Sequence, residues 1–345
     1  MESMDNIQKT KSKNIILLVL LLIVTFFVFA FCIGFGSVKI DIKEVIHIIF
    51  KNEAFNPTNK DIVMDIRFPR ALATLVGGAA LALSGLLLQI FFKNPIVEPY
   101  VLGISSGSTL FVALIMLGGV TLGFENPSPY MLVLGAFLGA LLVMMLVVAF
   151  AIKVKDIVTL LVIGIMVGYI CSAVTNILIA FADKEQIYGF VMWTKGSFSG
   201  FTWNNISVLM FVGIPIIIAS FFAVKPLNAF LMGEEYAKSM GVDIKKFRLI
   251  IILIASILTA VVTAFTGPVA FIGLAVPHIT RLIFKTSDNR ILIPGTVIIG
   301  AIVTSFCDLI CRTLFAPTEL SISAITSFMG APIVIYLILK RRASL

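Results

Sequence analysis

The chain has 345 residues, 59% hydrophobic and 13% charged, where a soluble domain carries about 45–50% apolar and about 25% charged residues. That composition excludes a water-soluble globular protein and points to an integral membrane one. The formal charge of +8 is spread over the polar breaks, and no basic patch asks for a nucleic acid.

Crossing a hydrocarbon core of about 30 Å takes about 20 apolar residues in a helix. Residues 1–13 are a polar tail carrying Lys9, Lys11 and Lys13, and a first apolar run fills 14–36. That run is too long for a signal-peptide core and has no small-residue cleavage pattern. Phe31 before Cys32 also argues against lipoprotein processing, so 14–36 reads as a first span. A polar outer segment, 37–66, follows, and further spans are expected at 67–92, 98–118, 129–151, 157–181, 204–224, 246–266, 268–285, 291–314 and 320–339. The runs are continuous rather than alternating, which favours helices over barrel strands. The expectation is an all-α membrane protein of about ten transmembrane helices, with 14–345 as one domain.

Lysine and arginine orient the spans. With the N-terminus in the cytoplasm, seventeen of the 26 basic residues fall on the inner side and nine on the outer, the positive-inside pattern. Both termini are then cytoplasmic. The inner side includes Lys93 and the stretch 225–246, and the outer side includes Arg67, Arg70 and Arg312.

Chemistry of the chain's own is scarce. There are two histidines and no H-E-x-x-H, the four cysteines lie inside predicted spans, and neither a metal nor a cofactor is expected. The segment GEEYAKSMG lacks the second glycine of a phosphate-binding loop and follows no strand. Asp308 is the clearest carboxylate within a span, and Arg312 one turn later can pair with it. No chain of ionisable groups suggests a proton relay. The chain reads as a conduit powered from elsewhere, with a stand-alone secondary transporter or channel as the alternative.

The segment Lys225 to Phe247 offers a coupling device. Gly233 can cap a short helix over 234–240, Glu234 and Glu235 suit its first turn, and Gly241 suits the left-handed position after its end. Leu231, Met232, Ala237 and Met240 would be its apolar contacts. Two turns are marginal in isolation, so the helix is expected to sit in a partner's groove. A second device is the break at Lys93, Asn94, Pro95, Glu98 and Pro99, where two prolines stop one apolar run just before the next.

The stretches 67–107 (RFPRALATLVGGAALALSGLLLQIFFKNPIVEPYVLGISSG), 231–242 (LMGEEYAKSMGV), 267–284 (GPVAFIGLAVPHITRLIF) and 330–340 (GAPIVIYLILK) resemble the FecCD family, permease subunits of ABC importers for iron–siderophores, haem and cobalamin. The resemblance implies a multi-pass protein of a bacterial cell membrane that works with a second permease, two cytoplasmic ATPase subunits and an extracytoplasmic substrate-binding lipoprotein. An iron–siderophore is the expected cargo. It also implies three sets of site residues. Gly233, Glu234, Glu235, Ala237, Lys238 and Gly241 would contact the ATPase. Gln89, Asn94, Pro95, Ile96 and Gly103 would line the pathway and its cytoplasmic gate. Arg67, Arg70 and Arg312 would receive acidic residues of the binding protein. Ser321 and Ser323 stand where family members often carry Pro and Gly.

Overall fold

A computed structural model of the chain describes residues 2–51, 56–118, 128–154 and 156–342. It is a helical bundle, with no strand among the described residues. In chain order the helices are α1 (Glu2–Gly34), α2 (Ile42–Lys51), α3 (Pro57–Asp61), α4 (Phe68–Phe91), α5 (Ile104–Met116), α6 (Pro129–Lys153), α7 (Ile157–Phe181) and α8 (Lys184–Thr194). Then come α9 (Trp203–Ser220), α10 (Val224–Leu231), α11 (Glu234–Ser239), α12 (Ile244–Thr266), α13 (Ile272–Phe284), α14 (Asn289–Thr313) and α15 (Ile322–Arg342).

Among the described residues, seven helices are long and apolar enough to cross a membrane, and α5 and α13 are shorter apolar ones. With α15, each of the ten expected spans meets a helix. Side chains set the starts. Ser128, Asp156 and Thr202 each accept a backbone N–H from the first turn of α6, α7 and α9. Asp183 and Gln186 close a capping box on α8. Asp243 and Asp288 cap α12 and α14. Each such cap satisfies donors the helix cannot satisfy itself.

Two expected boundaries shift. The polar tail is helical and continues directly into the first span, because nothing between Glu2 and Gly34 breaks the helix. The second span begins ten residues before Arg67. Asn56 caps α3 by accepting the Thr58 N–H, Pro57 occupies the first turn, and α3 runs through a π-helical turn, Ile62–Arg67, into α4. Pro57–Phe91 is thus one continuous span.

The core is built around α4. Its second half, from Ala79 to Phe91, is buried against α12, α13 and α14. A smaller cluster joins Cys32 and Ile33 of α1 to Val45 and Ile48 of α2 and Ala71 of α4. By contrast α1 shows a nearly continuous apolar face to the outside, from Ile15 to Phe31, as expected where lipid is the solvent.

Candidate functional site

The break after α4 is a built turn. Lys93 adopts a left-handed conformation (φ 47°), the Asn94 N–H returns to the Gln89 carbonyl at 3.1 Å, and Asn94 Oδ1 accepts the Ile96 N–H at 3.0 Å. Lys93 Nζ lies over the Phe230 ring, 5.1 Å from its centroid, a cation–π contact that fixes this end against α10. A 3-10 turn, Pro99–Leu102, and Gly103 at φ 73° then re-aim the chain into α5. A Cβ on Gly103 would stand 2.9 Å from the Gly164 carbonyl oxygen, so the close approach of α5 to α7 needs the glycine.

A second break separates α12 from α13, with Gly267 and Phe271 both at φ 68°. The two breaks meet. Glu98 accepts the Phe271 N–H at 3.3 Å. Gln89 Nε2 donates to the Gly273 and Leu274 carbonyls, each at 3.2 Å, and Gln89 Oε1 accepts from Arg281 at 2.8 Å. These bonds satisfy α13 carbonyls and a guanidinium that would otherwise be costly at this depth. Arg281 of α13 therefore holds Gln89. His278 Nδ1 lies 3.0 Å from the Leu274 carbonyl oxygen.

Backbones touch here as well. A Cβ on Gly85 would fall 1.9 Å from the Gly273 carbonyl oxygen. Gly85→Ala must push α4 and α13 apart, an overpacking cost of about 1–3 kcal/mol or more. Lower thermal stability of the purified protein and loosened proteolytic protection around Gly273 are expected; wild-type stability would show that the two breaks are not locked together.

Of the expected pathway residues, Gln89 is buried at this junction, while Asn94 and Pro95 are half-buried in the turn and Ile96 is exposed at its tip. Gly103 lies one element further on, against α7. Glu98 was named only as part of the first break and Phe271 not at all, since only the fold brings the two together.

On the Lys93 side, α10 and α11 form a projecting hook. Gly233 (φ 126°) and Gly241 (φ 84°) flank α11 as expected, and the Gly241 and Val242 N–H groups return to the Lys238 and Ala237 carbonyls, each at 3.0 Å. The helix is braced within its own chain. Glu234 pairs with Arg248 of α12 at 3.0 Å, and Ala237 is fully buried against the chain itself. Ala237 is thus corrected from an outward contact to an inward anchor. Met232 (76% exposed), Met240 (64%), Leu231 and Tyr236 make the outward apolar surface, with Glu235 and Lys238 beside them. Hydrogen bonds from the backbone at Lys246 hold the Asp243 carboxyl below its ordinary range.

The opposite side corrects the reading of the arginines. Arg67, Arg70 and Arg312 are 3%, 5% and 3% exposed. Arg67 donates to the carbonyls of Ile33, Gly34 and Val38, rather than pairing with Asp65. Arg70 forks onto Asp308 at 2.9 Å and reaches Glu319 at 2.9 Å. Arg312 donates to the Cys32 carbonyl at 2.7 Å and lies 3.6 Å from Asp308, the expected local pair. These side chains bind α1, α4, α14 and the segment before α15 together and do not stand at the surface. Nearby, Ser323 donates to the Pro268 carbonyl at 2.9 Å, so the serine adds a tie to the second break.

No group of three or more His, Cys, Asp or Glu able to hold a metal occurs among the described residues. The arrangement is one of packed, hydrogen-bonded helix breaks between a hook on one face and an ion-pair cluster on the other.

Comparison with known proteins agrees. Residues 20–340 match the model of the FecCD transport family. An ABC transporter permease protein of Methanocaldococcus jannaschii is 35% identical over 98% of this chain and 99% of its own length. The vitamin B12 import system permease protein BtuC of Escherichia coli is 35% identical over 84% of this chain and 86% of its own length. A solved structure described as a metal-chelate type ABC transporter in an inward-facing conformation superposes with a TM-score of 0.83 at 27% identity, covering 94% of this chain and 99% of that one. A permease of this kind is not itself an enzyme; it works with separate ATPase subunits, which excludes the stand-alone carrier. The chain belongs to the FecCD transport family and is a multi-pass permease subunit of an ABC importer.

Proposed function

We propose that this chain forms, with a second permease subunit, the translocation pathway of an ATP-driven, binding-protein-dependent importer of an iron chelate. The observation that carries the reading is the hook: a capped, outward-facing two-turn helix, braced by Arg248 and presenting Met232, Tyr236 and Met240 on the side where the basic residues gather. Such a surface fits a groove on each of two cytoplasmic ATPase subunits. Both chain termini lie on that side, and an extracytoplasmic binding protein delivers cargo from the other. The Gln89–Arg281 junction, next to the exposed turn at Ile96, is the natural place for the pathway to close.

A second cargo, a corrinoid, is favoured by the 35% identity to a vitamin B12 import permease. One experiment separates the two. The complex is purified with its ATPase and binding protein, its visible spectrum and metal content are recorded, and ATP-dependent uptake into proteoliposomes is followed. Bound iron and ATP-dependent iron uptake are expected. Cobalt with a corrinoid spectrum would replace the iron reading, and uptake that ignores ATP would end the importer reading.

A further inference from the structure

Neither the pathway nor the hook uses α2, on the side of the bundle opposite the hook. It meets the bundle through Val45 and Ile48, which pack with Cys32 and Ile33 in the last turn of α1 and Val63 of the π-helical turn. Glu44, also buried, accepts the Asn56 N–H at 3.3 Å and the Asn59 side-chain amide at 3.0 Å. The rotation of α2 about its own axis is therefore fixed.

At about 100° per residue, that rotation sorts the other side chains into two arcs. Ile42, Ile46, Ile49 and Phe50 share one of about 100°, the width of an amphipathic helix's apolar stripe. All four are exposed, Phe50 to 82%. Lys43, His47 and Lys51 fill the arc between this face and the buried one. Four adjacent large apolar side chains on an exposed face mark a contact surface rather than a watery one.

Two observations say what covers it. The lipid face of α1 runs on into it: Phe31 stacks on Phe35, with ring centroids 5.6 Å apart, and the exposed Val38 then leads to Ile42. Trp203 independently marks the depth. Its ring packs on Phe68 at 5.5 Å, and its indole N–H donates at 3.0 Å to the carbonyl of Met64, which packs against the same cluster as Val45 and Ile48. A part-exposed tryptophan on a spanning helix belongs at the lipid–water boundary.

We propose that α2 lies flat in that boundary with phospholipid as its partner. Ile42, Ile46, Ile49 and Phe50 enter the acyl chains, and Lys43 and Lys51 meet headgroup phosphates. A helix of this kind sinks its apolar face about 5–10 Å into the boundary, while lysine stems lie over apolar surface and keep their charged ends out of it. Through the Glu44–Asn59 bond, α2 then sets the height of Pro57–Phe91 against the lipid surface. The inference does not depend on the cargo.

The test places the complete import complex in vesicles of phosphatidylcholine and phosphatidylglycerol. Spin labels are attached at Ile46→Cys, Phe50→Cys and Lys51→Cys, one at a time; the four native cysteines are buried. Oxygen, which concentrates in acyl chains, is expected to relax the labels at 46 and 50 several-fold more than a water-soluble nickel chelate does, with the reverse at 51. Labels at 46 and 50 that answer equally to both reagents, or more to nickel, would place the face in water. Labels shielded from both, with or without the binding protein, would mean that protein covers it. Either result overturns the proposal. Unmodified protein gives a second measurement, through lipids carrying a photoreactive diazirine near the glycerol end of the acyl chain. Adducts are expected within residues 42–50; adducts on α1 with none on α2 would also overturn it.

Discussion

Replacing Arg70 with alanine is expected to destabilise the protein by about 3–5 kcal/mol, the cost of leaving one partner of a buried ion pair alone. Arg70 is the principal partner of Asp308, which is 1% exposed and would otherwise keep only Arg312 at 3.6 Å. Glu319, part-exposed, can turn to water and adds little to the loss. The four free cysteines, all buried, give a direct readout: labelling by a thiol-reactive dye on heating should begin at a clearly lower temperature in Arg70→Ala. In Arg70→Ala/Asp308→Ala the loss should be smaller than the sum of the singles, because the orphaned carboxylate is gone. Strict additivity would show that the cluster is not a coupled unit. Glutamates at positions 67 and 70 would likewise report on folding, since both arginines lie among backbone carbonyls and carboxylates inside the bundle.

Gly241→Pro is expected to uncouple transport from ATP hydrolysis almost completely. Proline holds φ near −65°, whereas Gly241 sits at +84° and its N–H closes the hook on Lys238 at 3.0 Å. The substitution therefore removes a bond and forces the chain leaving α11 to turn the other way. Gly241→Ala keeps the N–H and costs only about 1–2 kcal/mol for the left-handed conformation, so it should retain most coupling. The measurement is chelate imported per ATP hydrolysed by the reconstituted complex. A wild-type ratio in the proline variant would mean that the hook is not the contact through which hydrolysis drives import.

Much of this was legible in the sequence, because it depends on local rules. Each of the ten apolar runs meets a helix, and seven of those helices are long and apolar enough to cross a membrane among the described residues. The hook was readable from Gly233, two glutamates, Lys238 and Gly241 at capping distances, and the first helix break from Pro95 and Pro99. What escaped was tertiary. Arg70 and Asp308 are 238 positions apart, and topology alone sent the arginine to the surface. Arg281 found Gln89 across 192 positions. The start of α3 was hidden because its signal, Asn56-Pro57, lies in a polar stretch read as loop. α8 fell between spans, in a stretch read only as a connection, whereas α10 prolongs the α9 span, Trp203–Leu231, into the stretch read as the coupling segment.

The unbroken span Pro57–Phe91 has a mechanical meaning. At 1.5 Å per residue its 35 residues make a rod of about 52 Å, against a hydrocarbon core of about 30 Å. The rod overreaches the bilayer, and its far end carries Asn59, which clasps Glu44 of α2 at 3.0 Å. Its near end is the turn at Lys93, joined to α13 through Gln89. Packed along most of its length, such a rod ties the Asn59 clasp and the Gln89 junction into one stiff element, so the two ends keep a fixed separation.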